Sequence, residues 1–583
     1  MNKQPTNLQW NLLLAAFLVV AGSLSGQQPT AAQGTSAAES PGGEGAEEVF
    51  FETLDVNLVN LDVYVTDKAG NPVTDLTVED FEVFEDGRRQ KISNFSAVAG
   101  GRRLGSSSAA VPSLPVPGEE APRPIAVPDT VPEDERLRLI LYFDNVFLKP
   151  FDRNKVTLEA RSFLDGFLGP EDRALVATFE RRLIIRQPFT ADRATLDNAL
   201  LGLEKLSGFA VQAEQERRQV IQQIEATQLL EDAEPLVEAY ARQRYHALQN
   251  SVNGLRDLIS SLGGLPGRKA VLYVSNGIPM TAGEDLYRLL DLEFGQGEGV
   301  GGQLRAMRFN ARSQFRELIA HANANRVTFY TLQASGLVGR SSASAASRGS
   351  SRGGSQVELD FIEQSNTTEP LQMMAEDTGG QSLFNTNNLK LAFERMATDF
   401  NDHYSLGYAP AHSGDGRYHK IKVKVKRKGV KVRHRAGYRD KTLESRLNEG
   451  ILASLLHGVS TNPLGLRLDV LTPQPREDRY FLVPVEVHIP LAQLAMVPQQ
   501  GARHARLRVA VSVINSDGDT SVPEQTVVPV TVPDADWETA QRQNFVYEAQ
   551  LLMRRGTHEV AIGLRDELAG ESSFVRRSVS VGR

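Results

Sequence analysis

The chain has 583 residues, of which 41% are apolar and 23% charged, and a formal net charge of −8. That length implies roughly three or four domains, and the acidic balance gives no electrostatic case for nucleic acid. There is no cysteine, which excludes disulfides, thiolate metal sites, cysteine nucleophiles and a lipid anchor on an N-terminal Cys.

The N-terminus places Lys3 ahead of an apolar run, Leu12 to Val20, with small residues after it. This is a signal-peptide pattern over 1–26, and the run is shorter than the roughly 20 residues that span a bilayer. The expectation is an exported protein (periplasmic, cell-surface or secreted) with no transmembrane segment in its mature chain. Residues 27–47, rich in Gln, Pro, Ala, Gly and Glu, read as a disordered leader. Residues 48–99 read as a small β module. Val59, Leu61, Val63 and Val65 alternate with polar positions, and "DKAGNPV" and "EDGRRQ" are turn signals. The Pro-, Ser- and Gly-rich stretch 100–135 reads as a linker.

From Arg136 the pattern becomes strand, helix, strand. "LRLILYF" and "RKAVLYVSNGIP" are buried strands, "NKVTLEARSFLDGFL" and "DRATLDNALLGLEKL" have helical spacing, and "SQFRELIAHANANRVTFYTLQA" is a helix followed by a strand. Such alternation predicts an α/β domain over 136–403, doubly wound around a mostly parallel sheet. Two insertions interrupt it. In 212–262, Tyr245, Leu248, Val252, Leu255, Ile259 and Leu262 form one helical stripe. The segment predicts a helical hairpin packed on the domain, with Pro235 near its bend, or a partner-binding coiled coil. Residues 338–357 read as a flexible low-complexity loop.

Residues 404–440 predict a β extension. In its basic strand Ile421, Val423 and Val425 alternate with Lys422, Lys424 and Lys426, so one face is buried and the lysines protect a sheet edge. Residues 455–583 alternate through several strands and predict a β-sandwich. The N-terminal module is too small to be secure alone without disulfides, and is expected to dock on 420–438.

"DVYVTDKAGNPVTDLTVEDFEVFEDGRRQKI", "LILYFDN", "LPGRKAVLYVSNGIP", "RVTFYTLQASGL", "MAEDTGGQSLFNTNNL", "DHYSLGYAP" and "GRYHKIKVKVKRKGVKVRHRAGY" follow one another in order. This series resembles the VWFA-related family of exported bacterial, notably acidobacterial, proteins, whose central domain is of von Willebrand factor type A. The resemblance implies a type A (Rossmann-like) sheet over most of 56–438.

Type A domains that bind Mg²⁺ or Mn²⁺ carry a D-x-S-x-S loop after the first strand, a Thr in a second loop and an Asp after the fourth strand. Here the loop starts at Asp144 and Asn145, but Val146 and Leu148 stand at the serine positions. Phe209, Ala210 and Val211 stand where the Thr belongs, and Asn276 where the later Asp belongs. The resemblance therefore implies a degenerate metal site, with Asp144 acting as a capping residue at the strand end. Asp144, Asn145 and Asn276 remain a candidate binding face, because open α/β sheets take ligands at the C-terminal ends of their strands.

No G-x-S-x-G elbow follows a strand, the string Gly349–Gly353 fitting that pattern only inside the low-complexity loop, and no H-E-x-x-H or G-x-x-x-x-G-K-[ST] pattern occurs. His403, His412, His419 and His434 lie close in sequence without helical ligand spacing, and read as scattered surface histidines. The sequence thus predicts a non-catalytic interaction or adhesion protein with no cofactor, whose partner is another envelope or secreted protein. The alternatives are an Mg²⁺- or Mn²⁺-dependent adhesin with an unusual site at Asp144, and an unrecognised periplasmic hydrolase.

Overall fold

The computed structural model describes residues 58–108, 136–169, 171–295, 301–336, 353–384, 386–476, 479–516 and 518–582. The signal peptide, the leader, most of the linker and most of the 338–357 loop lie outside the described residues. The fold divides into two compact units, Val56–Thr442 and a second that holds Leu443–Arg583. Among the described residues no helix is long and apolar enough to cross a membrane.

The first unit opens with five strands: β1 (Val59–Thr66), β2 (Phe81–Glu85), β3 (Arg88–Gln90), β4 (Ile92–Ala99) and β5 (Arg102–Ser108). Asp86 and Gly87, both left-handed at φ 46° and 81°, make the tight turn from β2 to β3. The expected linker begins later than its composition implies, because Arg102–Ser108 pairs with β4 as a strand.

The α/β part follows as β6 (Leu137–Asp144), α1 (Pro150–Phe167), β7 (Arg173–Phe179), β8 (Leu183–Thr190), α2 (Arg193–Leu203), α3 (Phe209–Ala226) and α4 (Leu230–Leu262). It continues with β9 (Arg268–Ser275), α5 (Glu284–Phe294), α6 (Gly301–Ala306), α7 (Arg312–Ala324), β10 (Val327–Gln333), α8 (Gly353–Asp377), β11 (Ser382–Leu383) and α9 (Leu389–Asn401). The sheet order is β11-β10-β9-β6-β7-β8, parallel except where β8 returns against β7. This is a mixed, mostly parallel sheet of the Rossmann-like kind. Leu139, Leu141 and Phe143 of β6 pack with Val156 and Leu164 of α1, Leu196 of α2 and Phe393 of α9. Alternation sends Ile140 and Tyr142 to the opposite face. One expectation needs correcting: residues 353–357 already belong to α8. Pro235 lies in the second turn of α4, near the bend that residues 227–229 make between α3 and α4.

The unit closes with β12 (His403–Tyr408), β13 (Tyr418–Val425), β14 (Lys431–Arg433) and β15 (Gly437–Arg439). These strands do not form an extension beside an N-terminal module. They interleave with β1–β5 in two shared sheets, β14-β1-β12-β4-β5 and β15-β13-β2-β3. Ile421 pairs with Glu85 and Val423 with Val83. One core holds Leu61, Val63, Phe81 and Val83 together with Tyr404, Leu406, Ile421 and Val423. The basic strand alternates as expected, with Ile421 and Val423 buried and Lys420, Lys422 and Lys424 exposed. It is an interior strand rather than an edge, held between β2 and β15.

A polar seam joins this β body to the parallel sheet. Arg268, the first residue of β9, donates to Asp62 of β1 at 3.2 Å and to the Tyr64 hydroxyl at 3.1 Å. Arg433 of β14 donates to Asp399 of α9 at 2.9 Å, and the hydroxyl of Tyr330 donates to the same carboxylate at 3.2 Å. Burial works against the charge of Asp62, but Arg268 together with His403, Arg326 and Arg435 outweighs that and holds its carboxyl below the usual range.

The second unit carries α10 (Leu443–His457), β16 (Arg467–Val470), β17 (Gln474–Pro475), β18 (Tyr480–Pro490), β19 (Val497–Gln499), β20 (Ala502–Asn515) and β21 (Glu524–Pro533). It ends with α11 (Trp537–Ala540), β22 (Asn544–Arg554), β23 (Gly556–Asp566) and β24 (Ser572–Val581). β18 collects β16, β17 and β22, and β20 collects β19, β21 and β23, with β24 on β23. Val485 and Val487 of the first sheet share a core with Val509, Ile562 and Leu564 of the second. Residues 455–457 belong to α10, which packs Leu447, Ile451 and Leu455 on Ala510 and Ala561.

The polar seam makes folding sensitive to acid. His403 is buried with Arg268 nearby, and burial first, then that guanidinium, push its imidazole down to about 3. The folded state keeps it neutral, while the unfolded chain takes up a proton near pH 6.5. The stability this withholds is present at neutral pH and is lost as pH falls from about 6.5 towards 3. His403→Gln should therefore show a smaller drop in urea midpoint between neutral and acidic pH than the parent chain. His321, pushed down to about 4, accounts for part of the slope that remains.

Candidate functional site

One cluster of polar side chains lies at the C-terminal edge of the parallel sheet. β6 delivers Asp144 there, and the backbone after it folds back over the strand ends. Asn145 donates its N–H to the Phe179 carbonyl at 2.9 Å, and Asn276 donates to the Phe147 carbonyl at 2.8 Å. Asp144 and Asn145 are fully buried. One carboxylate oxygen of Asp144 accepts the Val146 N–H at 3.1 Å; the other accepts the Tyr273 hydroxyl at 2.7 Å and the Ser251 hydroxyl. Burial raises its pKa, and these hydrogen bonds pull the other way.

Ser251 comes from α4, so the helical insertion covers the edge. Its approach is close: a Cβ on Gly254 would sit 2.5 Å from the Phe179 ring. The neighbouring groups are committed as well. Arg153, buried inside α1, donates to the Asn145 side-chain oxygen at 3.1 Å and to the Leu206 carbonyl at 2.7 Å. Asn276 accepts from the Lys149 N–H at 2.6 Å and donates to Asp152 at 2.8 Å. The expected binding face of Asp144, Asn145 and Asn276 is therefore an internal polar network. The side chains lie at the expected edge, where Ser251 of the insertion and the backbone of 144–149 hydrogen-bond with them. Both oxygens of the Asp144 carboxylate accept hydrogen bonds at the strand end.

A second cluster lies in the β body, and sequence reading missed it. The end of β2 supplies Glu85 and the turn after it Asp86. The β12–β13 loop supplies His412 and Asp415, β13 supplies His419, and Asp440 follows β15. The two imidazoles stack, with centroids 3.9 Å apart and 17° between planes. His412 Nδ1 lies 3.0 Å from the buried Asp440 carboxylate, and its Nε2 lies 3.3 Å from Glu85. His419 Nδ1 lies 2.8 Å from Asp86 and its Nε2 3.1 Å from Asp415. Glu85 is buried and also accepts the hydroxyls of Tyr438 at 2.6 Å and Tyr408 at 3.3 Å. Both hydroxyls are pushed up in pKa, first by burial. Burial opposes charge on His419, but its bonds to Asp86 and Asp415 outweigh that and raise its pKa.

Glu85, His412 and His419 each offer a donor atom within 4.8 Å of the others, and His412, Asp415 and Asp440 make a second such trio. Sequence offered one local signal, the spacing of His412, Asp415 and His419 around the turn glycines Gly414 and Gly416. Nothing local pointed to Glu85 and Asp86, which precede His419 by more than three hundred residues, as the separation of 333 between Asp86 and His419 shows.

No protein-family model matches the chain, and no curated protein matches it. Among solved structures, it is similar to the conserved hypothetical protein BatB from Bacteroides thetaiotaomicron, at 13% identity and a TM-score of 0.15, over 34% of this chain and 65% of that one. It is similar to an aerotolerance-related membrane protein from Bacteroides fragilis at 12% identity and a TM-score of 0.21, over 46% of this chain and 98% of that one. A von Willebrand factor type A protein from Catenulispora acidiphila matches at 9% identity and a TM-score of 0.19, over 77% of this chain and 66% of that one. The chain thus spans just under two thirds of BatB. TM-scores of this size carry no argument about family; the fold rests on the strand order and register.

The Asp144 network has a direct mechanical consequence. Asp144→Ala leaves the hydroxyls of Tyr273 and Ser251 and the Val146 N–H without their acceptor in a buried space. It should cost about 3 kcal/mol of unfolding free energy in urea titrations, and Asp144→Asn, which keeps one acceptor, markedly less.

Proposed function

We propose that this chain is an exported, non-catalytic interaction protein of adhesion type, built on a von Willebrand factor type A-like domain whose metal site is degenerate. Its partner is another envelope or secreted protein. The ordered motifs of residues 62–438 and the signal-peptide pattern of 1–26 support this reading. So does the strand order of the central sheet. In the same reading the two sheets of 467–581 form a β-sandwich, a second surface for contacts.

The observation that carries the proposal is the closed strand edge. A metal-dependent adhesin needs an open carboxylate and hydroxyls around a hard cation, and a hydrolase on this scaffold needs a crevice at the strand ends. Here Asp144 is fully buried and hydrogen-bonded by Ser251 and Tyr273, and Val146 and Leu148 stand in the loop. Function is therefore assigned to outer surfaces, with the sheet as a rigid frame and without Mg²⁺ or Mn²⁺ at Asp144.

Excess Mg²⁺ should leave the melting temperature unchanged, any rise with Mn²⁺ should persist in Asp144→Ala, and crosslinking in the native envelope should capture the same partner with or without EDTA. A metal-induced rise that Asp144→Ala abolishes overturns the reading. Export has its own check: N-terminal sequencing of protein from the envelope or medium should find residues 1 to about 26 removed. An intact Met1 in the cytosolic fraction contradicts it.

A further inference from the structure

We propose that Glu85, His412 and His419, with Asp415 beside them, form a binding site for one first-row transition-metal ion of the Zn²⁺ class. The ion ties the N-terminal strands to the 409–440 segment. The site is separate from Asp144 and does not depend on how the strand edge is read.

Asp440 is buried and lies 3.0 Å from His412 Nδ1, so the Nδ1–H of His412 donates to it. In a neutral imidazole that leaves a lone pair on Nε2. This Nε2 is buried, has no hydrogen-bond partner and lies 3.3 Å from a carboxylate oxygen of Glu85. Two electron-rich atoms face each other at that distance only if a cation sits with them, either a proton on the ring or a metal ion between them. His419 differs in having both ring nitrogens hydrogen-bonded to carboxylates. Its Nδ1 is held by Asp86 at 2.8 Å, and its Nε2 faces the Asp415 carboxylate at 3.1 Å.

The donor set is two imidazoles and two carboxylates, which suits Zn²⁺ and its neighbours better than Mg²⁺ or Ca²⁺. Metal-bound histidines are commonly oriented by a carboxylate on the far nitrogen, as Asp440 and Asp86 do here. Glu85 is in turn fixed by Tyr438 at 2.6 Å. The His412 side chain is 27% exposed, which leaves an approach from solvent. Bonds of about 2.0–2.1 Å imply tetrahedral donor spacings of about 3.3 Å, so the 4.8 Å trio has to contract on binding. The parallel rings have to leave their 3.9 Å stack for both to aim at one ion. In a chain without cysteine, such an ion does the work of a cross-link between Glu85 and the segment around His419.

The test uses the full chain, stripped with a chelator, and Zn²⁺ itself. Calorimetric titration should give one tight equivalent per chain, and saturating Zn²⁺ should raise the melting temperature by about 3–5 °C. Glu85→Gln and His412→Gln should each weaken Zn²⁺ binding at least tenfold. Asp440→Asn should weaken it about 10–100-fold through the orientation of His412. His488→Gln, at a histidine beside Asp469 and Glu486, should change nothing. Because the variants remove buried groups, the parent chain gives a second readout: Co²⁺ should produce the visible bands of a tetrahedral site, and Zn²⁺ should protect His412 and His419 from diethyl pyrocarbonate. Absence of a stoichiometric Zn²⁺ equivalent overturns the proposal. So does binding that survives His412→Gln with His419→Gln, or stability that responds to pH but not to metal, which would leave two imidazoliums among carboxylates.

Discussion

The structure of the first unit depends on charges buried between its β body and its parallel sheet. Arg268 starts β9, a central strand, and its guanidinium is held by Asp62 and Tyr64 of β1. Arg433 of β14 meets Asp399 of α9, which also accepts from Tyr330 and Gln381. The Arg433 guanidinium lies 5.0 Å over the Tyr64 ring, so the two pairs are joined. Buried ion pairs lose much of their Coulombic gain to desolvation, and apolar burial supplies the stability. What the pairs fix is position: a slipped register of β1 would bury the Arg268 guanidinium without Asp62 and Tyr64, at several kcal/mol.

That seam sets the roles of the two ends of the sheet. At the N-terminal ends of the strands it anchors the β body. At the C-terminal ends, α4 lies close over β7 through Gly254 and reaches Asp144 through Ser251. Asp144 and Asn145 are buried there and hydrogen-bonded within the frame.

The β body is built from segments far apart in the chain. Tyr404 donates to the Val73 carbonyl across 331 residues, and Tyr438 to Glu85 across 353. Closing so long a loop costs only a few kcal/mol more than closing a short one, but pairings of this kind form late and need a strong core to hold them. The shared core of Leu61, Val63, Val83, Leu406 and Val423 supplies it. The cluster of His412 and His419 lies at the same junction, where β2, β13 and β15 meet.

By itself the sequence determined the local elements. Alternation of Ile421 and Val423 with lysines set which face of β13 is buried, and the apolar run ending at Asp144 marked a covered parallel strand. The 3–4 spacing from Leu248 to Leu262 marked the buried stripe of α4. Val146, Leu148 and Asn276 stand where the type A pattern that the sequence resembles has two serines and an Asp. These signals are legible because periodicity and side-chain chemistry act over a few residues. Tertiary structure alone decided that 58–108 and 403–439 share two sheets, that α4 seals the strand edge through Ser251, and that Glu85 and Asp86 meet His412 and His419. Each of these depends on which distant segments come together, and that is set by the whole chain's burial and by the partners its charges find once water is excluded.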